Sequence, residues 1–233
     1  MKEIGVSEVA QMMERETGPT IGFATLDLLD EIECEAWTGR VMRLKPHWRR
    51  RNTYLPFFTL GIAAYIDAVE GAHLYRDEAL LRENNAFIAE HFAPLLETVS
   101  AALSAHFGMP ARLASQVAWP GFHIFLPHPV FSRPVASMHR DLQYRLVFPE
   151  REPEDDELFS FTLPLSTPQG SGLNLWPEGL TTPELVPYRN GQLVVHDGLI
   201  AHQAVLQSIG EVSRVTLQGH GIVMDNQRIE LYW

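Results

Sequence analysis

The apolar positions of the chain follow two different rhythms, which change over near residue 110. Over 78–107 they recur three and four apart: Leu80, Leu81, Phe87, Ile88, Phe92, Leu95, Leu96, Val99, Leu103 and Phe107. That spacing gathers them on one stripe of a helix, and such a stripe needs another element to cover it. Pro94 lacks an amide hydrogen, so the pattern predicts a division or a kink there. Gly108 and Pro110 supply the stop. A weaker helical pattern covers 59–69. Beyond residue 110 the period shortens toward two, and strands are predicted over 121–126, 135–148, 158–165, 173–176, 192–196, 200–206, 214–223 and 229–233. Pro127 with Pro129, Pro149 to Pro153, Pro168 to Gly172, Asn190-Gly191, Asp197-Gly198 and Ser208 to Gly210 separate them.

Many short strands at close spacing point to a sandwich or jelly roll. The fold class expected is mainly β with helices (α+β), a jelly roll buttressed by N-terminal helices. No linker separates the two regimes, so one domain is expected over 1–233. Residues 1–110 would give mostly helical support and could add elements on the substrate side, and 111–233 would give the jelly-roll core. The segment 149–157 reads as an exposed, mobile loop rich in proline and acid.

Composition narrows the function. The 233 residues carry 18 Lys and Arg against 29 Asp and Glu, a formal net charge of −11. Such a surface repels phosphate backbones, so nucleic acid is not an expected partner. The basic group Arg49, Arg50 and Arg51, after Lys45 and His47, reads as a solvated turn that pairs with nearby acids. Cys34 is the sole cysteine, and Glu33 and Glu35 beside it would raise its thiol pKa, against a nucleophilic role. Residues 1–16 lack a signal-peptide core, and the apolar stretch 55–66 is too short to span a bilayer, so a cytoplasmic protein is expected.

Candidate chemistry begins at Ser137-Met138-His139-Arg140-Asp141. On a strand, His139 and Asp141 would share a face, which makes half of a divalent metal site. A further histidine would complete the two-histidine, one-carboxylate set that leaves three positions of an octahedral iron open. His202, at the start of an apolar strand, is the expected third ligand. Its 12-residue distance from Arg214 suits two adjacent strands joined by a short loop. His196 is its closest competitor. Arg214 and Thr216 stand two apart, and a guanidinium with a hydroxyl can hold a carboxylate. Arg214, Thr216, Gln218 and His220 share one strand face, opposite Val215, Leu217, Gly219 and Gly221. The run Ser137, His139, Asp141, Gln143 and Arg145 matches it, and together they suggest a polar cavity.

The order His139-x-Asp141, then His202 after 63 residues, then Arg214-x-Thr216 resembles the 2-oxoglutarate/Fe(II) oxygenase superfamily. The resemblance covers about residues 110–233 and implies a double-stranded β-helix. It implies that His139, Asp141 and His202 bind Fe(II) and are the catalytic residues. It also implies that Arg214 and Thr216 anchor the cosubstrate 2-oxoglutarate, with O2 as the oxidant. Related halogenases replace the carboxylate by a small residue, so Asp141 points to hydroxylation of an unactivated carbon, with succinate and CO2 as co-products. The family often has a Gly-Ser-His motif where Gly170-Ser171-Gly172 stands here without a following histidine.

Arg145, Gln143 and Trp176 are candidate substrate contacts, and a small molecule, an amino acid or a natural-product intermediate, is the expected substrate. His123 is read as a satisfied structural residue that could also face the cavity, and His128 flanks the same segment. His47, His73, His91 and His106 are read as surface or packing residues. Trp48, Tyr54, Phe57, Phe58 and Tyr65 read as helix-packing core. Two other readings stay open: a cupin-like isomerase, lyase or hydrolase with a non-redox metal, and a non-catalytic metal- or ligand-binding jelly roll. The first has no need of the Arg214-x-Thr216 pair.

Overall fold

The computed structural model describes residues 23–68, 74–154, 157–177, 181–225 and 227–233. The expectations for residues 1–16, for Val69 and for His73 lie outside these. Four helices are described: α1 (Glu31–Arg43), α2 (Ala64–Asp67), α3 (Glu78–Phe107) and α4 (Tyr144–Val147). The strands of the first half are β1 (Ala24–Asp27), β2 (Arg49–Arg50), β3 (Phe57–Leu60) and β4 (Ala111–Leu113). Then come β5 (Gly121–Phe125), β6 (Leu158–Ser166), β7 (Gly172–Trp176), β8 (Glu184–Pro187) and β9 (Gln192–Asp197). The last are β10 (Ala201–Val205), β11 (Arg214–Met224) and β12 (Arg228–Tyr232).

Two sheets face each other across a cavity. The larger runs β1-β9-β6-β11-β5-β3-β2, and β12 pairs with the far end of β11 and with β4. The smaller runs β10-β7-β8. This is the expected jelly roll. Its alternation sorts the side chains cleanly. Phe159, Phe161 and Leu163 of β6, Val215 and Leu217 of β11, Phe122 and Ile124 of β5, and Leu193 and Val195 of β9 turn to one face and are buried. There they join Ile88, Phe92, Leu95, Leu96, Val99, Leu103 and Phe107 of α3 in one core. Phe92 meets Phe122 at 4.4 Å between ring centres, and Phe107 meets Phe159 at 4.6 Å. The opposite face of the same strands carries the polar residues and looks into the cavity.

Helix α3 is held at its start by Asp77, whose side chain accepts from the amides of Ala79 and Leu80, and ends at Gly108 in the left-handed conformation, φ +67°. Pro94 does not divide it: the 30 residues form one helix. Pro94 is exposed, so the carbonyl its ring deprives of a partner can be solvated while the apolar stripe continues on the buried side.

Three further expectations change. The first half is not only helical support, because β1 pairs with β9 and β3 with β5, extending the large sheet. The segment 59–69 begins as strand: Thr59 and Leu60 belong to β3, Gly61 has φ +119°, and only Ala64–Asp67 is helical. Helix α1 was not legible in the apolar pattern, though it carries a full capping box between Asp30 and Glu33. The largest change is at 135–148. No strand forms there; one isolated bridge joins His139 to His202, and the chain then coils into α4.

Of the basic group, Arg51 is not solvated. Its guanidinium makes paired bonds of 2.7 and 2.6 Å to the buried Asp67. This pair ties the segment after β2 to α2. Residues 149, 150, 152 and 154 are exposed, and 155–156 lie outside the described residues. Among the described residues, no helix is long and apolar enough to cross a membrane.

Candidate metal centre

The bridge at His139 sets two ligands side by side. The His139 amide donates to the His202 carbonyl at 3.0 Å, and the His202 amide donates back at 2.9 Å. Directly opposed residues of an antiparallel pair bring their side chains together, and the two rings lie 4.4 Å apart. Two residues on, the Asp141 amide donates to the Gly198 carbonyl at 2.8 Å, which turns the chain inward. His139 and Asp141 therefore converge, as expected, but through one extended rung and a loop contact rather than through a strand.

The ligand atoms of His139, Asp141 and His202 lie within 4.8 Å of one another. His139 Nε2 is 3.7 Å from Asp141 Oδ1, and His202 Nε2 is 3.4 Å from Asp141 Oδ2. Each histidine uses its other nitrogen in the same way. His139 Nδ1 bonds to the Ser137 carbonyl and His202 Nδ1 to the Ile200 carbonyl, both at 2.9 Å. A carbonyl only accepts, so the proton sits on Nδ1 and the lone pair of each Nε2 is left toward Asp141. This is the tautomer a metal ligand needs. Burial would raise the Asp141 pKa, but His220, His202, His139 and a hydrogen bond from Ser160 outweigh it and hold the carboxyl well below the usual range. The donor set thus suits a divalent cation with two imidazoles and one carboxylate.

His196 also reaches the cavity, with its ring 4.7 Å from that of His202. Its Nδ1 is bonded to the Asp197 carbonyl. Burial first, then the neighbouring His202, push it down to about 4. It is not one of the three converging ligands. The choice of His202 stands on a different reason from the one expected: β10 and β11 are not neighbours but belong to opposite sheets.

The cavity encloses about 300 Å³. Arg214 lies in it, fully buried, against the rings of Phe125 and Tyr188 at 5.6 and 5.3 Å. No carboxylate among the described residues pairs with it, and no well-formed hydrogen bond reaches its Nε or either Nη; the Tyr188 phenol is its electrostatic partner. Thr216, on the same face of β11, is fully buried with its hydroxyl also without a partner; it is not one of the cavity-lining residues. Gln143 is buried and lines the cavity. Arg145 is exposed on α4 with its Nε on the Tyr144 hydroxyl, and Trp176 is half-buried beside Ala201, so neither lines the cavity.

Several lining residues were not anticipated. Ser160 and Thr162 project inward from β6, between Phe159, Phe161 and Leu163 on the other face, and that alternation was the available signal. Phe57 and Tyr65, expected in the helical core, line the cavity as well. His123 faces it with its Nε2 2.7 Å from the Tyr65 hydroxyl. His128 caps a 3-10 turn by accepting from Val130, and His47, His91 and His106 pack against Phe87 and Phe107.

No protein-family model matches the sequence, and no curated protein sequence matches it. Solved structures match along nearly the whole chain. An N-substituted L-amino acid dioxygenase from Burkholderia ambifaria AMMD has TM-score 0.53 at 10% identity, covering 91% of this chain and 86% of that one. Its complex with α-ketoglutarate gives TM-score 0.51 at 9% identity, with the same coverage. A 2OG-Fe(II) oxygenase-family oxidoreductase from Burkholderia pseudomallei reaches 0.48 at 14% identity, covering 94% and 91%. The likeness shows that the chain has the double-stranded β-helix fold of these dioxygenase structures, and within that fold His139, Asp141 and His202 converge as a group that could hold a metal ion.

Proposed function

We propose that the protein is an Fe(II)- and 2-oxoglutarate-dependent oxygenase that hydroxylates an unactivated carbon of a small molecule. The observation that carries this reading is the pairing of the triad with Arg214, a fully buried guanidinium without a carboxylate partner among the described residues, in one cavity. An unpaired buried cation is costly. A dicarboxylic cosubstrate would supply what it lacks; Thr216, which does not line the cavity, would not reach it in this arrangement. A cupin-like enzyme with a non-redox metal has no use for that cation.

His139, Asp141 and His202 would hold the iron, and Arg214 the distal carboxylate of 2-oxoglutarate. Bound together, these cofactors supply with O2 the oxidation that turns C–H into C–OH and 2-oxoglutarate into succinate and CO2. The protein binds, orients and excludes water. Asp141 and His202 are almost enclosed, with side-chain exposures of 11% and 7%, while His139 is 48% exposed at the rim. The primary substrate would thus enter on the His139 side.

What lines the remaining wall bears on the substrate. Asn52, Tyr65, His123 and Gln218 are polar, and Leu55 and Phe57 apolar. Burial, then Arg214, pushes His123 far down, and burial pushes Tyr65 up, so both are neutral near pH 7. Such a wall favours a largely uncharged natural-product intermediate over a free amino acid, whose ammonium and carboxylate would both need partners.

The test is anaerobic addition of Fe(II) and 2-oxoglutarate to metal-free protein. The expected result is a visible metal-to-ligand charge-transfer band, absent in His139→Ala. No band with the natural sequence, or an undiminished band in the variant, overturns the reading.

A further inference from the structure

Asp141 is held by a chain of side chains that ends on a different strand. Ser160, on β6, donates its hydroxyl to Asp141 Oδ2. A carboxylate can only accept, so the hydroxyl hydrogen is committed to it. The Ser160 oxygen is then free to accept, and His220 Nδ1 lies 2.9 Å away. His220 faces Ser160 directly across the β6–β11 ladder. With its proton on Nδ1, His220 has a lone pair on Nε2, and the Gln143 amide nitrogen sits 2.5 Å from it. The same amide nitrogen stands 3.2 Å from Nδ1, but with the Ser160 hydrogen committed to Asp141 the Nδ1 must carry the proton, so the chain runs from Gln143 to His220, from His220 to Ser160 and from Ser160 to Asp141. Gln143, Ser160 and His220 are all buried, at 7%, 5% and 9% exposure. A buried chain of this kind is rigid because each member would be left unpaired by rotation of the next.

The geometry matters at the carboxylate. Asp141 sits on a loop, and since the backbone leaves an aspartate several χ1 and χ2 settings, its carboxylate orientation is set by what it bonds to. The Ser160 bond occupies Oδ2 from the β6 side and leaves Oδ1 toward His139 Nε2. We propose that Gln143, His220 and Ser160 are positioning residues that lock the Asp141 carboxylate in its metal-binding orientation from across the sheet. The proposal rests on the metal-centre reading above and adds residues outside the triad to it.

The test measures Co(II) affinity of the full chain by its visible d–d absorption, with circular dichroism of the metal-free proteins as the control for folding. Ser160→Ala should weaken Co(II) about tenfold or more, the usual size of an outer-shell loss. At His220 two variants of similar polarity separate positioning from packing. The amide nitrogen of His220→Asn falls where Nδ1 was and can still donate to Ser160, whereas that of His220→Gln falls where Nε2 was and cannot. His220→Asn should bind Co(II) within about threefold of the natural protein, and His220→Gln about tenfold more weakly. Unchanged affinity in Ser160→Ala, or equal affinities of the Asn and Gln variants, overturns the positioning role while leaving the metal centre standing. A natural protein that binds no Co(II) overturns both.

Discussion

Arg214 is the residue whose surroundings differ most from what a lone side chain would tolerate. It is fully buried, and burial is the main cause that lowers its pKa. Replacing it by leucine removes a cation that lacks a carboxylate partner, so the apoprotein should lose little stability or gain some. A bond from it to a carboxylate of the proposed cosubstrate would be charge-assisted, worth about 1.5–3 kcal/mol, so 2-oxoglutarate should bind roughly 10–100-fold more weakly. Iron should bind as before. Titration of the charge-transfer band with each component checks this, and equal weakening of iron and 2-oxoglutarate would count against the anchor. Cys34 behaves in the opposite sense, as a buried group kept neutral. Burial first, then Glu33, Asp30 and Glu31, push its thiol from 9 up to about 11. The folded state therefore holds this proton to higher pH than the unfolded chain. Its contribution to stability is complete below about pH 9 and is lost between pH 9 and 11. Iodoacetamide should alkylate Cys34 far more slowly in the native protein than in urea at pH 8, with a native rate that climbs up to pH 11.

At the scale of elements, β6 and β11 explain how one pair of strands can serve both core and cavity. The face of β11 away from the cavity looks half bare in the sequence, with Gly219 and Gly221 after Val215 and Leu217. The structure fills it from the neighbouring strand. Gly219 is opposite Phe161 and Gly221 opposite Phe159, and both rings lie over the glycines. A Cβ at Gly221 would fall 2.1 Å from Phe159 Cζ. Gly221→Ala should thus destabilise the protein by about 1–3 kcal/mol through overpacking, read as a lower urea midpoint at unchanged slope. The pairing of Phe159 and Phe161 with glycines also turns Ser160 and Thr162 into the cavity, so this packing and the Asp141 contact share one cause. Helix α3 was legible because its stripe is long and regular. Helix α1 buries Cys34 and Val41 but leaves most of its surface half-covered or exposed, and so shows no strong stripe.

Across the whole molecule, the proposed metal would join parts that the backbone connects weakly. His202 belongs to the small sheet, His139 and Asp141 to the connecting segment, and Asp141 is bonded to Ser160 of the large sheet. A divalent ion at this point would bind the folded form alone. At a free concentration of 100 times its dissociation constant it would add about 2.7 kcal/mol. For a chain of this length that is a rise in Tm of roughly 5–10 °C. Adding Co(II) to metal-free protein in a thermal melt should give that rise, and a chelator should remove it. His139→Ala should show little of either.

The sequence alone determined the identities of the chemistry-bearing residues and the alternation that turns Arg214, Gln218 and His220 to one side. It determined these because residue type and short-range period are local properties, and burial of one face is written directly into them. It also placed α3 and most of the jelly-roll strands. Only the tertiary structure decided how the triad forms. Within the segment 135–148, polar residues stand at every second position from Ser137 to Arg145, yet up to Gln143 it is a loop held by the bridge to His202 and the bond to Gly198, and it then turns into α4. Those hydrogen bonds join backbone groups about 60 residues apart, and no local pattern encodes them. The same holds for Ser160 and His220, whose contact with Asp141 depends on which strands lie side by side. His202 joins the candidate triad because His139 is bridged to it directly, not because of its distance along the chain from Arg214.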